Sequence, residues 1–179
     1  MDLFLLGGNK KASNKDWISS VAEACRKDFD ECKVLNYSHW ELDDQANIDV
    51  NKEAERFSNF VGKSRDYCIF AKSAGTIVAM KAMKEGRISP KRCIFVGVPI
   101  RWADGEEIEI RPLIGAINVP TLFIQKSEDP ACFAEELERL LDKLGVKNFK
   151  FFEIPGEDHR YEDIDMLEKE ARNFCAKEK

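Results

Sequence analysis

Tyr67–Gly75, with the sequence YCIFAKSAG, places a serine where an apolar strand gives way to a helix. Residues 67–71 are apolar and rich in β-forming side chains, which predicts a short buried strand. Residues 76–84 follow with helical spacing, and Gly86 is positioned to end that helix. A serine at this junction stands on a sharp turn, with its hydroxyl exposed above the positive end of the helix. Nucleophilic attack needs such a position, because nearby backbone N–H groups can bind the oxyanion that forms.

The motif around this serine is small-x-Ser-x-Gly, formed by Ala71, Ser73 and Gly75. It differs from the Gly-x-Ser-x-Gly nucleophile elbow only in the first residue, where a methyl group replaces hydrogen. A serine at a strand–helix turn can also be a simple helix cap. The nucleophile hypothesis therefore requires a base and an acid elsewhere in the chain.

Two polar side chains follow later strands in positions that suit these roles. Asp129 lies in the turn after the apolar run 119–125, and His159 lies in the loop after a last predicted strand, 149–154. The carboxyl ends of parallel strands share one edge of a sheet, so Ser73, Asp129 and His159 are expected to converge. Each role also has an ordinary structural alternative, since Asp129 could cap a helix and His159 could be a solvated surface residue.

The chain resembles small, lidless members of the α/β-hydrolase superfamily, such as dienelactone-hydrolase-like proteins and retinoblastoma-binding-protein-type serine hydrolases. The resemblance extends from Leu3 to the C-terminal helix. It is carried by the elbow, by the acid loop PTLFI…EDP within residues 120–130, and by the PGxxH loop at 155–159. The order Ser, Asp, His is the order of this superfamily. The sequence departs from it at Gly7, where many relatives have a histidine.

The resemblance implies a role for each candidate. Ser73 is the nucleophile, His159 the general base and acid, and Asp129 the carboxylate that orients the imidazole. The backbone N–H of Ala74 and one N–H from the Gly8–Asn9 turn are expected to bind the oxyanion. Loss of one such donor typically costs about 3 kcal/mol in the transition state. No cofactor and no metal are expected.

Other acidic and basic side chains near these positions are weaker candidates. Asp104, after the fourth strand, is the alternative triad acid, because some hydrolases take their acid from there. Glu128 and Asp158 are adjacent to the acid and the base but do not hold the usual place. His39 would break the chain order as a base and is interpreted as structural or pocket-lining.

Three further features have less specific interpretations. Lys72 and Arg160 flank the nucleophile and the base, and we interpret them as solvated charges rather than as groups that attract an anionic substrate. The stretch GGNKK at 7–11 lacks the spacing of a phosphate-binding loop, so nucleotide binding is not expected. The long connection 99–118 is expected to be an irregular surface loop without a lid. Its Trp102, Ile108 and Ile110 could alternatively form a short flap.

Strand and helix patterns alternate along the chain, which predicts a three-layer, doubly wound parallel sheet of about six strands. Right-handed crossovers and the hydrolase resemblance give the strand order 2-1-3-4-5-6. The predicted strands are residues 2–6, 33–36, 67–71, 92–98, 119–125 and 149–154. The predicted helices cover about 13–29 (capped within 13–16), 51–61, 76–84, 130–144 (from Pro130 to Gly145) and 163–176.

Length and composition limit the number of domains, the classes of partner and the cellular location. We expect residues 1–179 to form a single α/β-hydrolase domain, since 179 residues suit one domain. A net charge of −5 argues against nucleic acid and anionic membranes as partners. No run approaches the roughly 20 apolar residues of a membrane span, and no signal peptide is expected. The six cysteines form no Cys-x-x-Cys pair, which predicts reduced thiols, no zinc site and a cytoplasmic location.

The sequence therefore predicts a serine hydrolase that cleaves a small carboxylic ester or thioester through an acyl-enzyme intermediate. Two alternatives stay open. One is a catalytically silent protein that uses the same fold for binding, and the other is a peptidase or acyltransferase with the same triad.

Overall fold

The computed structural model describes residues 1–42 and 46–175. Six parallel strands form one sheet in the order β2-β1-β3-β4-β5-β6, which confirms the predicted topology. The strands are β1 (Asp2–Leu6), β2 (Cys32–Leu35), β3 (Tyr67–Lys72), β4 (Arg92–Val96), β5 (Thr121–Lys126) and β6 (Phe149–Ile154).

Within the described residues, seven α-helices connect or follow these strands. They are α1 (Lys11–Cys25), α2 (Val50–Val61), α3 (Ala74–Lys84), α4 (Ile100–Gly105), α5 (Ile110–Ile114), α6 (Ala134–Lys143) and α7 (Ile164–Cys175). Helix α1 packs on α7, whereas α3 packs on α2 and α5. Every residue of β3 is buried, so both faces of the sheet are covered at its centre. The last helix was predicted to reach Ala176, which lies outside the described residues.

The central strands agree with their apolar patterns, and their ends differ by a few residues. The fourth strand was expected to reach Val98, but β4 ends at Val96. The chain turns at Gly97, whose φ of +62° is unfavourable for other residues. A Cβ at Gly97 would lie 2.7 Å from Tyr161 Cε2 and 3.0 Å from His159 Cε1. The turn therefore leaves room for the loop that carries the predicted base.

Helix α1 starts earlier than expected, and residues 13–16 do not cap it. The helix begins at Lys11, and Asn14 lies within its first turns. The Asn14 side chain instead donates to the Lys10 carbonyl at 2.7 Å and accepts from the Gly8 N–H at 2.9 Å. Because both bonds reach back toward β1, this asparagine fixes the β1–α1 loop rather than the helix end.

Helix α6 starts later than expected, at Ala134 rather than Pro130. The Asp129 carboxylate accepts a hydrogen bond from the Ala131 N–H at 2.8 Å, which holds residues 129–131 in a turn. The Phe133 side chain precedes the helix, is exposed and lies beside the Arg101 guanidinium. Leu137 and Leu141 are on the buried face of α6.

The connection 99–118 is not irregular, because it contains α4 and α5. Of the three residues considered for a flap, Trp102 borders the cavity described below. Ile110 is fully buried in the core, and Ile108 packs against the core. A flap made of all three residues is therefore excluded.

The cysteines lie mostly in the interior. Cys25, Cys68, Cys93, Cys132 and Cys175 are buried, Cys32 is partly exposed, and all six are free. Burial raises the pKa of the Cys25 thiol to about 12. Over residues 1–42 and 46–175, no helix combines the length and the apolar composition needed to cross a membrane.

Candidate active site

Ser73 occupies a strained turn between β3 and α3. Its φ of +52° is rare for a residue with a side chain and is typical of strain held at functional positions. The turn is fixed from both sides, because Ser73 N–H donates to Val96 O at 2.9 Å and Ser73 O accepts from Thr76 N–H at 2.8 Å. A Cβ at Gly75 would lie only 2.5 Å from Gly7 O. Glycine is thus required for α3 to approach the end of β1.

The structure brings the three predicted triad residues together. His159 Nε2 lies 2.9 Å from Ser73 Oγ, and His159 Nδ1 lies 2.8 and 2.9 Å from the two Asp129 carboxylate oxygens. An ionised carboxylate only accepts hydrogen bonds, so Nδ1 must carry the proton. Nε2 of the neutral imidazole is then an acceptor, which directs the Ser73 hydroxyl hydrogen toward it.

Asp129 is fully buried, and its carboxylate is saturated with donors. Besides His159, it accepts hydrogen bonds from the Ala131 N–H at 2.8 Å and from the Tyr161 hydroxyl at 2.7 Å. A buried charge needs such partners to remain favourable. The geometry therefore keeps this carboxylate available to orient His159.

Tyr161 is a site residue that the sequence analysis missed. Its hydroxyl accepts from the Lys126 N–H at 3.1 Å while it donates to Asp129, so it connects the end of β5 to the predicted acid. Burial is the main cause that raises its pKa, and the Asp129 charge adds to it. The only signal in the sequence is its place two residues after His159.

In the described part of the chain, the carboxylate at His159 Nδ1 is that of Asp129 and not one of the alternative acids. Asp104 forms an exposed ion pair with Arg111, at 2.7 Å, away from the imidazole. Asp158 pairs with Lys126 at 2.8 Å, and the hydrogen bond from that lysine lowers the pKa of the Asp158 carboxyl. Glu128 is exposed, and its N–H donates to Gly156 O at 2.9 Å. The Lys126–Asp158 ion pair and the Glu128–Gly156 hydrogen bond attach the His159 loop to the acid loop.

The candidate oxyanion donors need one correction. Ala74 is the first residue of α3, where a helix offers its N–H no internal acceptor. The Gly8 N–H, in contrast, already donates to Asn14 Oδ1. Asn9 is therefore the donor that remains from the Gly8–Asn9 turn.

Aromatic side chains hold this turn in place. The Asn9 carbonyl accepts from Trp40 Nε1 at 2.9 Å and lies 2.7 Å from His39 Nε2. The Gly7 carbonyl accepts from the Tyr37 hydroxyl at 2.9 Å. His39 stacks on Tyr37. Of the two roles expected for His39, structural or pocket-lining, this contact supports the structural one. A Cβ at Gly7 would lie 3.2 Å from Trp40, which limits the space for a larger residue there.

A cavity of about 600 Å³ opens beside Ser73 and His159. Trp17 and Trp102 contribute apolar walls, and Trp17 is fixed by a 2.7 Å hydrogen bond from Nε1 to the Tyr161 carbonyl. This volume falls in the range of small-molecule sites. Among residues 1–42 and 46–175, no group of three His, Cys, Asp or Glu side chains could hold a metal ion.

Lys72 is not the solvated charge that the sequence suggested. It is 5% exposed and borders the cavity, with Nζ 3.2 Å from Asn14 Oδ1 and 5.0 Å from the centre of the Trp17 ring. Desolvation lowers the pKa of its ammonium group to about 8. Arg160, in contrast, is exposed at the cavity rim, which agrees with its interpretation as a solvated charge.

Replacement of Lys72 by methionine should remove a pH-dependent cost to stability. Between pH 8 and 10.5 the folded protein loses the Lys72 proton before the unfolded chain does, so stability rises with pH there. At pH 7 the charged amine costs about 3 kcal/mol relative to an unburied lysine. Urea unfolding should show the stability of the wild type rising by about 2 kcal/mol relative to Lys72→Met between pH 7 and 10. A difference that is constant with pH would contradict this account.

Comparison with solved structures extends the description of the fold. A protein from Bacillus cereus matches 97% of this chain at 20% identity with a TM-score of 0.75, and this chain spans 60% of its length. Est1E from Butyrivibrio proteoclasticus, solved with ferulic acid, matches at 16% identity (TM-score 0.74; 97% of this chain, 87% of that one). A lipase-esterase related protein from Clostridium acetobutylicum matches at 12% identity (TM-score 0.73; 97% and 94%).

Sequence comparison gives no match: no protein-family model and no curated protein matches the chain. The likeness to esterase structures is therefore one of architecture, and it agrees with the strand order and with the serine at the turn after β3. This chain has the α/β-hydrolase fold.

Proposed function

We propose that this protein is a serine hydrolase that cleaves a small carboxylic ester or thioester through an acyl-enzyme intermediate. The observation that carries the proposal is the continuous hydrogen-bonded series from Asp129 through His159 to Ser73, open to the cavity. Esterases among the similar structures support it, including a cold-adapted esterase from an Arctic metagenomic library.

Acylation would follow from the tautomer that Asp129 selects. As the Ser73 hydroxyl attacks the carbonyl carbon, its proton passes to Nε2, and the imidazole becomes positively charged. The Asp129 carboxylate stabilises that charge at 2.8 Å from Nδ1. The N–H groups of Ala74 and Asn9 are the proposed donors to the oxyanion, in a turn that is already held in place and needs no reorganisation.

Acylation is completed when the charged imidazole gives its proton to the leaving alcohol or thiol. In deacylation the neutral imidazole takes a proton from the attacking water, and it returns that proton to Ser73 Oγ as the bond to the acyl carbon breaks and the acid is released. His159 is suited to both steps because its side chain is 27% exposed, while Asp129 behind it is excluded from solvent. Water thus reaches the base without competing for the carboxylate.

The cavity supports a small substrate. Its volume of about 600 Å³ accommodates a compact acyl group between Trp17 and Trp102. The connection 99–118 forms the short helices α4 and α5 rather than a separate lid domain. We therefore assign short and medium acyl chains to this site.

A pre-steady-state assay tests the proposal. Wild-type protein mixed with p-nitrophenyl butyrate should release an initial burst of nitrophenol, up to one equivalent per protein, followed by slower turnover. A fluorophosphonate should abolish both phases. If the protein releases no nitrophenol and the fluorophosphonate does not react with it, the alternative of a catalytically silent binding protein is favoured. Faster release on addition of an acceptor alcohol or amine, with the acyl product attached to it, would indicate an acyltransferase.

A further inference from the structure

Lys72 is a buried cation whose charge no carboxylate neutralises directly. Its ammonium group contacts a neutral amide oxygen, Asn14 Oδ1, and the face of the Trp17 ring. Within residues 1–42 and 46–175, no Asp or Glu oxygen lies within 4.0 Å of it. The charge of Asp129 still acts on it through space, but that carboxylate is already occupied by His159, Tyr161 and Ala131.

Two other buried charges in the described part of the chain have charged partners. Glu53 is 1% exposed and pairs with Arg56. Glu168 is 7% exposed, and Arg172 lies 3.3 Å from it. Burial of a charge without such a partner is costly. Lys72 has no such charged partner among the described residues, and unlike Asp129 it borders a cavity that could admit one.

The groups around the cavity favour an anion. Its basic lining residues are Lys10, Lys72 and Arg160, and its acidic one is Glu162, which pairs with Arg160 at 3.8 Å. His159 and Tyr161 are the other titratable lining residues. The ammonium of Lys72 is also adjacent in sequence to the predicted nucleophile. An anionic group held there would belong to the part of the substrate that occupies the cavity, with the Trp17 and Trp102 walls packing against an apolar spacer.

We propose that the cavity binds an acyl group with a free carboxylate at its far end, which accepts a hydrogen bond from Lys72 Nζ. The substrate class is then a half-ester or half-thioester of a dicarboxylic acid. This assignment rests on the proposed hydrolase function for its chemistry, whereas the carboxylate contact itself needs only the cavity. A charge-assisted bond of this kind is stronger than a neutral one, and it selects against uncharged acyl chains.

Paired substrates test the assignment. Mono-p-nitrophenyl esters of adipate and suberate carry the carboxylate, and p-nitrophenyl heptanoate and nonanoate are neutral counterparts of similar length. Wild-type protein should show kcat/KM at least about tenfold higher for the charged ester of the better-fitting length. Lys72→Met should lower the charged-to-neutral ratio by about 10- to 100-fold. Lys91→Met removes an exposed lysine and should leave the ratio unchanged.

The ratio separates recognition from simple structural support. If Lys72 served only to hold Asn14, the methionine variant would lose activity equally on both esters, and the proposal would be wrong. A wild-type protein that prefers the neutral ester would also overturn it.

A binding measurement keeps this proposal distinct from the hydrolase function. Adipate and suberate should bind to the Ser73→Ala protein in calorimetric titrations, and the double variant with Lys72→Met should bind the tighter of the two at least about tenfold more weakly. If Ser73→Ala binds these diacids through Lys72 but the wild-type protein turns over no ester, only the hydrolase function is overturned. Ester turnover with no Lys72-dependent binding or preference would overturn only the carboxylate assignment.

Discussion

Replacement of Ser73 by alanine is expected to lower kcat for p-nitrophenyl butyrate by about five orders of magnitude. The variant lacks the hydroxyl that the imidazole is positioned to deprotonate, since Ser73 Oγ is 2.9 Å from His159 Nε2. Turnover that persists would come from the remaining oxyanion donors and from substrate binding. The measurement is the steady-state rate, corrected for hydrolysis in buffer alone.

Two controls make the result for Ser73 specific. Ser20→Ala changes an exposed serine on α1, whose hydroxyl donates to the Asp16 carbonyl one turn earlier, and should retain full activity. Thermal unfolding of Ser73→Ala should remain cooperative, because the strained backbone at this position is fixed by main-chain bonds. A folded Ser73→Ala protein with a tenth or more of the wild-type rate would refute the nucleophile assignment.

Replacement of Asp129 by asparagine should lower kcat by about 10⁴-fold. An amide nitrogen facing His159 Nδ1 would donate a hydrogen bond instead of accepting one. The imidazole would then carry its proton on Nε2, where it cannot accept the hydrogen of Ser73. Tyr161 and Ala131 donate to different Asp129 oxygens, and His159 Nδ1 lies near both, so an amide nitrogen at either position would face groups that now donate to the carboxylate.

Asp104→Asn is the matched control for Asp129→Asn, because it makes the same change at the alternative acid. Asp104 was the alternative acid, but its carboxylate is exposed and paired with Arg111. We therefore expect wild-type turnover from Asp104→Asn within about twofold, because surface substitutions of this kind are usually mild. Loss of activity in Asp104→Asn with retention in Asp129→Asn would reverse the two assignments.

Most of the fold could be predicted because its strands are local, apolar and regularly separated by helices. β1 and β6 have the predicted bounds, and the strand order follows from the crossover rule together with the hydrolase resemblance. The errors occur where a side chain competes with the helix pattern. Asp129 holds a turn that delays α6, and Asn14 is used by the β1–α1 loop rather than as a cap.

The candidate site was predictable to the extent that topology alone places it. Ser73, Asp129 and His159 each follow a strand end, and parallel strands bring those ends together. Tyr161, Asn14 and the burial of Lys72 depend on side-chain directions across distant segments. Periodicity does not encode those directions, so Lys72 was interpreted as solvated and Gly8 as a free donor.

Mass spectrometry of the fluorophosphonate-treated protein tests the central claim most directly. The account predicts a single adduct on the wild-type protein, located by peptide mapping on Ser73, and none on His159→Ala, which lacks the base. An unmodified wild-type protein, or an adduct located on any other residue, would contradict the account.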